Sequence, residues 1–500
     1  MTVATRRIGV VGAGTMGSGI AQLGCTAGIE TWLHDPVPEA LERGAERLRA
    51  GIAKGAEKGR WSLDADQWLR LAPTLEDLSR CDLVIEAAPE RPELKRELFE
   101  QLSAIAPEAI LATNTSSILI TSLAGAAARP ENVVGMHFFN PPPLMALVEV
   151  IPAEQTGDEA MAVAWEVVER MGKTPIRAYD GPGFLVNRCN RPFGAESLRL
   201  LQEGVATHEQ IDRIVRLGGG FRMGPFELMD LVGIDVGFEV AKSFTEQSFG
   251  EPRWKPSPLQ ARMVAAGRLG RKTGRGWYEY PPGRPDDPPA PEPGGGEGRV
   301  VAIEGAGPLA RELRERAARA GFDARQLVAV GGLEEPELIV DASVPAPVTD
   351  AGDLPQGPPM IAVCADRSLA ARGNPHACGF HAIVPLGDLV ELTRLPTTPD
   401  PVADAADDFF RALGFHREWV RDAPGLVLGR IVAQLVNEAG FAVAEGVGSI
   451  EDVDLGLKLG MNHPRGPSEW DGEQAAVTLD GIWRERREER YRPAPAWSSP

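Results

Sequence analysis

Ile8-Gly9-Val10-Val11-Gly12-Ala13-Gly14-Thr15-Met16-Gly17 is the stretch that decides the fold of the first part of this 500-residue chain. An apolar run breaks into the spacing Gly12-x-Gly14-x-x-Gly17, and a segment of helical character follows over residues 18–27. In dinucleotide-binding turns the first glycine permits the tight turn, the second lets the backbone approach a pyrophosphate, and the third lets helix and strand pack closely. The stretch therefore predicts a Rossmann domain with phosphates at the start of its first helix.

An acidic residue supports this interpretation. Asp35 ends the next apolar run, residues 29–35, and lies 23 residues after Gly12. In dinucleotide-binding domains a carboxylate about 20 residues beyond the glycines binds the ribose. An ordinary strand–helix turn is the alternative, and the combined pattern favours the dinucleotide site.

Composition and charge limit the partners of the chain. The formal net charge is −19, and 43% of the residues are apolar. The excess of negative charge disfavours nucleic acid and anionic membrane surfaces, and no apolar run reaches the length of a membrane span. A phosphorylated ligand remains compatible, because it needs only local positive charge. The five cysteines lack CxxC and zinc-type spacing, so we expect reduced thiols in a cytoplasmic protein.

Polar residues follow two of the strands predicted after Asp35. The predicted elements are a strand and loop over 82–90, a helix over 92–106, and strands over 109–113, 133–136 and 147–151. Asn114-Thr115-Ser116-Ser117 follows one strand and His137 follows the next. Because ligands of open α/β sheets lie beyond the carboxyl ends of the strands, these residues are candidates for a site.

Residues 36–70 are rich in Ala, Leu, Glu and Arg and predict helices. Five basic residues make this segment locally positive: Arg47, Arg49, Lys54, Lys58 and Arg60. They fit a solvated helix face, and they also fit a site for an anionic ligand outside the dinucleotide pocket. Both interpretations stay open at this point.

The rest of the chain repeats the first part. Residues 300–307 echo the opening strand and turn. Further along, the match runs without gaps at an offset of 242 residues, so that Glu203-Gly204-Val205 becomes Glu445-Gly446-Val447 and Asp212 becomes Asp454. Self-similarity at a fixed offset indicates an internal duplication.

The second copy is reduced, because it lacks the Asp35 region and has Gly429 where the first copy has Asn187. We expect an α/β Rossmann domain plus an all-α helical domain, followed by a reduced Rossmann-like unit and a second helical domain. The predicted limits are 1–180 for the Rossmann domain, 181–283 for the first helical domain, 284–298 for a Pro- and Gly-rich linker, 299–420 for the reduced unit and 421–500 for the second helical domain.

His137 is the strongest candidate for acid–base chemistry. A bound nicotinamide cofactor would leave the protein to hold the substrate and to manage one proton, and histidine is suited to that task. Glu149 lies on the next predicted strand, where a carboxylate could orient the imidazole and stabilise its protonated form. A buried structural histidine and an exposed strand residue are the alternatives. Ser116 (or Ser117) and Asn187 could supply uncharged hydrogen-bonding groups.

Six ordered motifs of the first copy carry a family resemblance. They are Gly12 to Ala21, Asn114 to Ser117, His137 to Pro141, Leu147 to Val150, Gly181 to Arg188 and Gly224 to Leu228. Together they resemble the L-3-hydroxyacyl-CoA dehydrogenases over about residues 6–280. The layout with a reduced Rossmann unit and a second helical unit is similar to the phenylacetate-degradation branch, which acts on 3-hydroxyadipyl-CoA.

The resemblance implies NAD⁺-dependent oxidation of a (3S)-3-hydroxyacyl-CoA to the 3-oxoacyl-CoA, without a metal. It makes His137 the base, Glu149 its acidic partner, and Ser116 and Asn187 the groups that polarise the substrate. Asp35 becomes the ribose ligand, which favours NAD over NADP because a 2′-phosphate would meet its charge. The residues implied to contact the cofactor are Gly12, Gly14, Thr15, Met16, Gly17, Asp35, Glu90, Lys95, Ser116, Asn140 and Lys272.

The resemblance also bears on the substrate and on assembly. The basic helix after Asp35 matches the region that binds coenzyme A phosphates, and Lys54 and Lys58 are its candidate contacts. The helical domain is the usual dimerisation surface of the family. We therefore expect residues 421–500 to pack on residues 181–283 as an intrachain pseudo-dimer, with a homo-oligomer as a further option.

Two other functions compete with this interpretation. Another β-hydroxyacid dehydrogenase with a lysine base would leave the basic helix and the His137–Glu149 pair unexplained. A non-catalytic NAD- or CoA-binding regulator would not need the polar residues that the first copy keeps. The acyl chain of the substrate does not follow from the sequence, with 3-hydroxyadipyl-CoA and 3-hydroxybutyryl-CoA as the candidates.

Overall fold

The structure, a computed structural model, describes residues 5–326, 336–345, 357–470 and 472–495. The outer domain limits predicted at residues 1 and 500 lie outside the described residues. Within those ranges, no helix has both the length and the apolar character needed to cross a membrane. The five cysteines are buried and form no disulfide bonds in the structure.

The first α/β part begins with the predicted strand and turn. Its strands are β1 (Arg7–Val11), β2 (Glu30–His34), β3 (Leu69–Ala72), β4 (Leu83–Glu86), β5 (Ile110–Thr113), β6 (Val133–Phe138), β7 (Leu147–Pro152) and β8 (Thr174–Arg177). Its helices are α1 (Thr15–Thr26), α2 (Pro38–Ala56), α3 (Pro92–Ile105), α4 (Ile120–Ala124) and α5 (Asp158–Arg170). The strand order is β3-β2-β1-β4-β5-β6-β7-β8. Neighbouring strands pair in parallel except β6 and β7, which are antiparallel.

Helix α2 shows how the basic segment folds. Leu41, Ala45, Leu48 and Ile52 recur at helical spacing and are buried in the core of this part. The periodicity turns the charged side chains of the helix, Lys54 among them, toward solvent. This arrangement provides the solvated face, and it leaves the basic side chains accessible to an anion.

The first helical part follows β8. Its helices are α6 (Val186–Gln202), α7 (His208–Arg213), α8 (Pro225–Val232), α9 (Ile234–Gln247) and α10 (Pro258–Ala265), and a π-helical turn over Ile214–Gly218 extends α7.

The second α/β part repeats the first in shorter form. Its elements in chain order are β9 (Val300–Glu304), α11 (Pro308–Arg319), β10 (Asp323–Arg325), β11 (Leu338–Asp341), β12 (Met360–Val363), β13 (Cys378–His381), β14 (Leu389–Arg394), α12 (Asp400–Ala412) and β15 (His416–Trp419). The strand order is β10-β9-β11-β12-β13-β14-β15, with β13 and β14 antiparallel. Within the described ranges, it therefore matches the first sheet without a counterpart of β3.

The second helical part contains α13 (Leu428–Ala444), α14 (Ile450–Met461) and α15 (Gly472–Arg486). The chain forms two compact units, and their limits cross the boundaries of the repeat. One unit runs to Arg188 and includes Glu445–Met461, and the other holds Cys189–Ala444 and the chain from Asn462 onward. Helix α14 of the second copy thus belongs to the same compact unit as the first sheet.

Two details of the predicted secondary structure are wrong. The helical interpretation of 36–70 extends too far, because Leu69 and Arg70 begin the edge strand β3. The strand predicted to end at Met136 continues through Phe138, so His137 lies within β6. The antiparallel partner β7 extends the ladder to this point and pairs His137 directly with Glu149.

Candidate active site

The glycine turn between β1 and α1 has the shape that a pyrophosphate requires. Gly12 has φ of +100°, and a Cβ there would lie 2.6 Å from the carbonyl oxygen of Ala87. A Cβ at Gly17 would lie 1.7 Å from the carbonyl oxygen of Gly12. A Cβ at Gly14, which caps α1, would meet nothing within 4 Å. Open space in front of the helix N-terminus fits a bound dinucleotide phosphate.

Asp35 is held beside this turn. Its Oδ2 accepts a hydrogen bond from the Ala13 N–H at 2.9 Å, and its Oδ1 accepts one from the Val37 N–H at 3.0 Å. Each carboxylate oxygen has a second lone pair. The half-buried carboxylate can therefore still accept from the hydroxyls of a ribose.

Lys95 is buried beside Glu86, which ends β4, and beside Glu90. Its side chain is 1% exposed, and its Nζ lies 2.7 Å from Glu86 Oε1 and 3.2 Å from Glu90 Oε2. Burial would raise the pKa of Glu90, but the Lys95 ammonium and hydrogen bonds from the 115–117 loop outweigh it, so the pKa of Glu90 lies below its ordinary value. The structure places Lys95 as a support for Glu90, and direct contact of Lys95 with a cofactor stays a prediction.

Glu90 in turn orders the loop after β5. Its Oε1 accepts from the backbone N–H groups of Ser116 and Ser117, at 3.0 and 3.1 Å, and from the Ser117 hydroxyl at 2.9 Å. Asn114 ties the same loop to β6, because its Oδ1 accepts from the Phe138 N–H at 2.8 Å. Ser116 and the His137 strand are thereby linked at the carboxyl edge of the sheet.

His137 and Glu149 meet across the antiparallel pair β6–β7. His137 Nδ1 lies 2.6 Å from Glu149 Oε2, and the two side chains are 7% and 0% exposed. The other oxygen, Oε1, accepts from the Leu185 and Val186 N–H groups at 3.0 and 2.9 Å. An ionised carboxylate only accepts hydrogen bonds, so in the neutral imidazole Nδ1 carries the hydrogen and Nε2 has the lone pair. This arrangement can accept a proton at Nε2.

Aromatic rings enclose the imidazole. The ring centroids of Phe139 and Phe184 lie 4.7 and 5.7 Å from that of His137. Asn187 follows directly after the two residues whose N–H groups bind Glu149, in the first turn of α6, and is half-buried. The first unit thus brings together the glycine turn, Asp35, Glu90, Ser116, His137, Glu149 and Asn187.

The remaining predicted residues are more exposed. Asn140 is exposed after β6, and Thr15 and Met16 occupy the first turn of α1. Lys54 and Lys58 are exposed in the last turn of α2 and just after it. Lys272 belongs to the second compact unit, where its Nζ lies 2.6 Å from Asp235 Oδ1. Their roles stay predictions.

The second copy keeps a relic of the His–Glu pair. Glu391 still accepts from two backbone N–H groups, those of Val427 and Leu428, at 2.7 and 3.0 Å. His381 Nδ1 is 3.7 Å from Glu391, and neither ring nitrogen has a hydrogen-bond partner in the described structure. A Cβ at Gly429 would lie 2.5 Å from His381 Nε2. The imidazole therefore fills the space that an Asn187-like side chain would need.

Comparisons with known proteins point to one family. The model of the 3-hydroxyacyl-CoA dehydrogenase NAD-binding domain matches residues 7–181, and that of the C-terminal domain matches both 183–280 and 425–498. A 3-hydroxyadipyl-CoA dehydrogenase of Escherichia coli is 33% identical over 99% of this chain and 97% of its own length. A probable 3-hydroxybutyryl-CoA dehydrogenase of Deinococcus radiodurans is 44% identical over 55% of this chain and all of its own length.

The chain belongs to the 3-hydroxyacyl-CoA dehydrogenase family. A solved structure of a 3-hydroxybutyryl-CoA dehydrogenase from E. coli matches the dehydrogenase with a TM-score of 0.83 and 31% identity over 99% of this chain and 98% of that one. The two matches of the C-terminal model confirm the duplication predicted from the 242-residue offset. NAD is the cofactor and a 3-hydroxyacyl-CoA is the substrate class, which decides against a lysine-based β-hydroxyacid dehydrogenase and a non-catalytic regulator.

Several supporting residues of the dehydrogenase were not predicted. The sequence places Asn114 in a polar loop and gives no sign of its hydrogen bond with the Phe138 N–H. Glu86 ends the predicted buried strand β4, and a buried acid followed nine residues later by a lysine was the available signal. The N–H groups of Leu185 and Val186 carry no side-chain signal, so their bonds to Glu149 could be found only from the structure.

Proposed function

We propose that the dehydrogenase oxidises (3S)-3-hydroxyacyl-CoA in the first copy alone, with His137 as general base and Glu149 as its orienting partner. The observation that supports this most strongly is the 2.6 Å contact between His137 Nδ1 and Glu149, whose second oxygen is fixed by two backbone donors. In the second copy the equivalent distance is 3.7 Å.

The proposed proton transfer follows from this geometry. A bound nicotinamide cofactor supplies the hydride acceptor. His137 Nε2 takes the proton of the 3-hydroxyl group, and Glu149 stabilises the imidazolium that forms. The Ser116 hydroxyl and the Asn187 amide hold the reacting oxygen, which is an alcohol before the reaction and a ketone after it. The aromatic rings around His137 limit the access of water to the imidazole.

Alanine substitutions at the two equivalent histidines test this proposal. We expect His137→Ala to lower kcat by about 10²- to 10⁴-fold, the usual contribution of a general base, while the Kd for NADH stays unchanged. The matched control is His381→Ala, which removes the relic imidazole and should leave kcat unchanged. Normal turnover in His137→Ala would reject His137 as the base.

The proposed substrate is a dicarboxylic 3-hydroxyacyl-CoA of the 3-hydroxyadipyl-CoA type. Support comes from the 3-hydroxyadipyl-CoA dehydrogenase that shares the full length of this chain, duplicated part included. The competing acyl group is 3-hydroxybutyryl, because a solved structure with that name also matches the full length. NADH formation from both thioesters decides between them, and a higher kcat/KM for 3-hydroxybutyryl-CoA would overturn the dicarboxylic assignment.

Lys54 and Lys58 are the proposed contacts for coenzyme A phosphates. Both side chains are exposed at the carboxyl end of the amphipathic helix α2. Phosphate recognition by exposed lysines is electrostatic, so we expect a Lys54→Ala/Lys58→Ala double variant to raise KM for the thioester and not for NAD⁺. An unchanged KM for the thioester would place the coenzyme A elsewhere.

We further propose that the two helical copies form an intrachain pseudo-dimer. Arg430 donates to Glu196 at 2.9 Å and to Glu203 at 2.7 Å, and Glu196 and Arg430 are both fully buried. At the offset of 242, the equivalent of the Arg430–Glu203 pair is Arg188–Glu445, which also forms, at 2.7 Å. Reciprocal pairs of this kind are typical of an interface between two copies of one surface.

Backbone hydrogen bonds follow the same reciprocal pattern. The Tyr179 N–H donates to the Val447 carbonyl at 3.0 Å, and the equivalent Arg421 N–H donates to the Val205 carbonyl at 2.8 Å. Deletion of residues 299–500 should therefore yield an insoluble or dimerising fragment. A stable monomeric fragment with normal activity would contradict the pseudo-dimer.

A further inference from the structure

We propose that helix α14, from the second copy, positions the catalytic pair of the first copy, with Gly456 as its principal positioning residue. This inference rests on the proposed roles of His137 and Glu149. It gives the duplicated part a function in catalysis, although its own His–Glu pair is displaced.

Three glycines of the second copy lie close to side chains that surround His137 and Glu149. A Cβ at Gly456 would lie 2.7 Å from Val186 Cγ2, and a Cβ at Gly448 would lie 2.8 Å from Leu185 Cδ2. A Cβ at Gly460 would lie 3.0 Å from Leu147 Cδ2 and 3.4 Å from the Phe139 ring. Gly456 and Gly460 let α14 rest directly on these side chains, and Gly448 does the same for the turn before the helix.

The contacted residues are the ones that hold the catalytic pair. Leu185 and Val186 donate both backbone hydrogen bonds to Glu149 Oε1. Phe139 packs on the His137 ring at 4.7 Å between centroids. Leu147 lies on β7 two residues before Glu149. A displacement of α14 would therefore reach the imidazole through Phe139 and the carboxylate through Leu185 and Val186.

The second observation is that polar bonds fix the start of the α14 segment independently of this packing. The Val447 carbonyl accepts from the Tyr179 N–H at 3.0 Å. Glu445 forms an ion pair of 2.7 Å with Arg188, whose side chain is 6% exposed. Arg188 is the residue after Asn187, so the same bond restrains the first turn of α6. The segment is thus held at its beginning and packed along its length.

A side chain at Gly456 would move the catalytic pair. Val186 is β-branched and has little rotamer freedom, so a new Cβ at 2.7 Å displaces the backbone at Val186 or the helix α14. Either shift changes the hydrogen bonds to Glu149. Misplacement of a catalytic group by about 1 Å can reduce turnover by as much as 100-fold.

The test uses the full chain and the variants Gly456→Ala and Gly456→Val. We expect kcat to fall by about 3-fold for alanine and by about 10- to 100-fold for valine, while KM for NAD⁺ stays within about 2-fold because the cofactor turn is untouched. Combination with Val186→Ala, which removes the contacted methyl groups, should restore part of kcat. A fall in kcat with KM for NAD⁺ unchanged distinguishes positioning from a general loss of stability.

The matched control is Gly472→Val in the same helical copy, where a Cβ would meet nothing within 4 Å. It should keep the kcat of the unmodified enzyme. If Gly456→Val does not fold, Gly456→Ala alone decides, because alanine gains helix propensity. Unchanged kcat in the folded Gly456 variants would overturn the inference. If His137→Ala also kept its activity, the proposed function itself would fail.

Discussion

Glu149 illustrates how one buried carboxylate can organise an active site. A buried charge is tolerated when donors satisfy it, and here the imidazole and two backbone N–H groups do so. Its equivalent, Glu391, keeps the backbone donors and has no hydrogen bond to His381. At this position the two copies differ in the imidazole and not in the carboxylate.

Asp35 gives a prediction for cofactor selection. We expect Asp35→Ala to raise KM for NAD⁺ by roughly 10- to 100-fold, because a charged hydrogen bond contributes about 1.5–3 kcal/mol. The ratio of NADP⁺ to NAD⁺ activity should rise, since the negative charge near a 2′-phosphate is removed. Steady-state kinetics with both cofactors measures this. The matched control is Glu42→Ala on the exposed face of α2, and an unchanged KM for NAD⁺ in Asp35→Ala would contradict the ribose assignment.

For single residues, the sequence predicted the candidate catalytic side chains better than the residues that hold them in place. The twelve-residue separation of His137 and Glu149 on adjacent strands predicted a contact, and the register of β6 and β7 brings them together. The sequence did not predict that Lys95 is buried on Glu86 and Glu90. A lysine in an amphipathic helix gives no sign of burial until the acids below it are located.

Elements with strong periodicity were predictable, and short edge elements were not. The apolar positions of α2 recur from Leu41 to Ile52, over about three turns, which fixes the buried face. Strand β3 has four residues, of which only the first and last are buried, and it pairs only with β2 among the described strands. Its four residues do not alternate between buried and exposed, so the sequence pattern did not separate this strand from the predicted helices.

The turn after α14 gives a prediction for pH dependence. His463 is buried beside Phe193 and Phe221, its Nε2 lies 2.9 Å from Asn190 Oδ1, and burial lowers its pKa from 6.5 to about 4. The unfolded chain therefore binds an extra proton below pH 6.5, and stability falls as the pH drops toward 4. We expect the titration of His463 to lower the free energy of unfolding by about 3 kcal/mol between pH 6.5 and pH 4.

Thermal unfolding of His463→Gln between pH 7 and pH 4.5 checks this prediction. The variant should be less stable at pH 7, because it loses a packed ring, and its Tm should fall less on acidification than that of the unmodified chain. Parallel Tm curves for the two proteins would show that His463 does not titrate as proposed.

For the whole molecule, the duplication explains features that neither half explains alone. The second copy preserves the glycine turn at Gly305 and the carboxylate Glu391, yet lacks the Asp35 region and has a displaced imidazole. Its helical part still matches the C-terminal family model over 425–498 and contributes α14 to the first compact unit. The repeat is visible in the sequence as an ungapped offset of 242 residues. The sequence does not predict that α14 belongs to the first compact unit, because this depends on tertiary packing.

We propose that cofactor binding and catalysis both belong to the first copy only. The number of NADH molecules bound per chain, measured by calorimetric titration of the full-length protein, tests it most directly. We expect one NADH per chain, and we expect this binding to be lost when Gly14 is replaced by a bulky residue that blocks the open face of the first turn. Two equivalents per chain, or one that survives the Gly14 substitution, would contradict it.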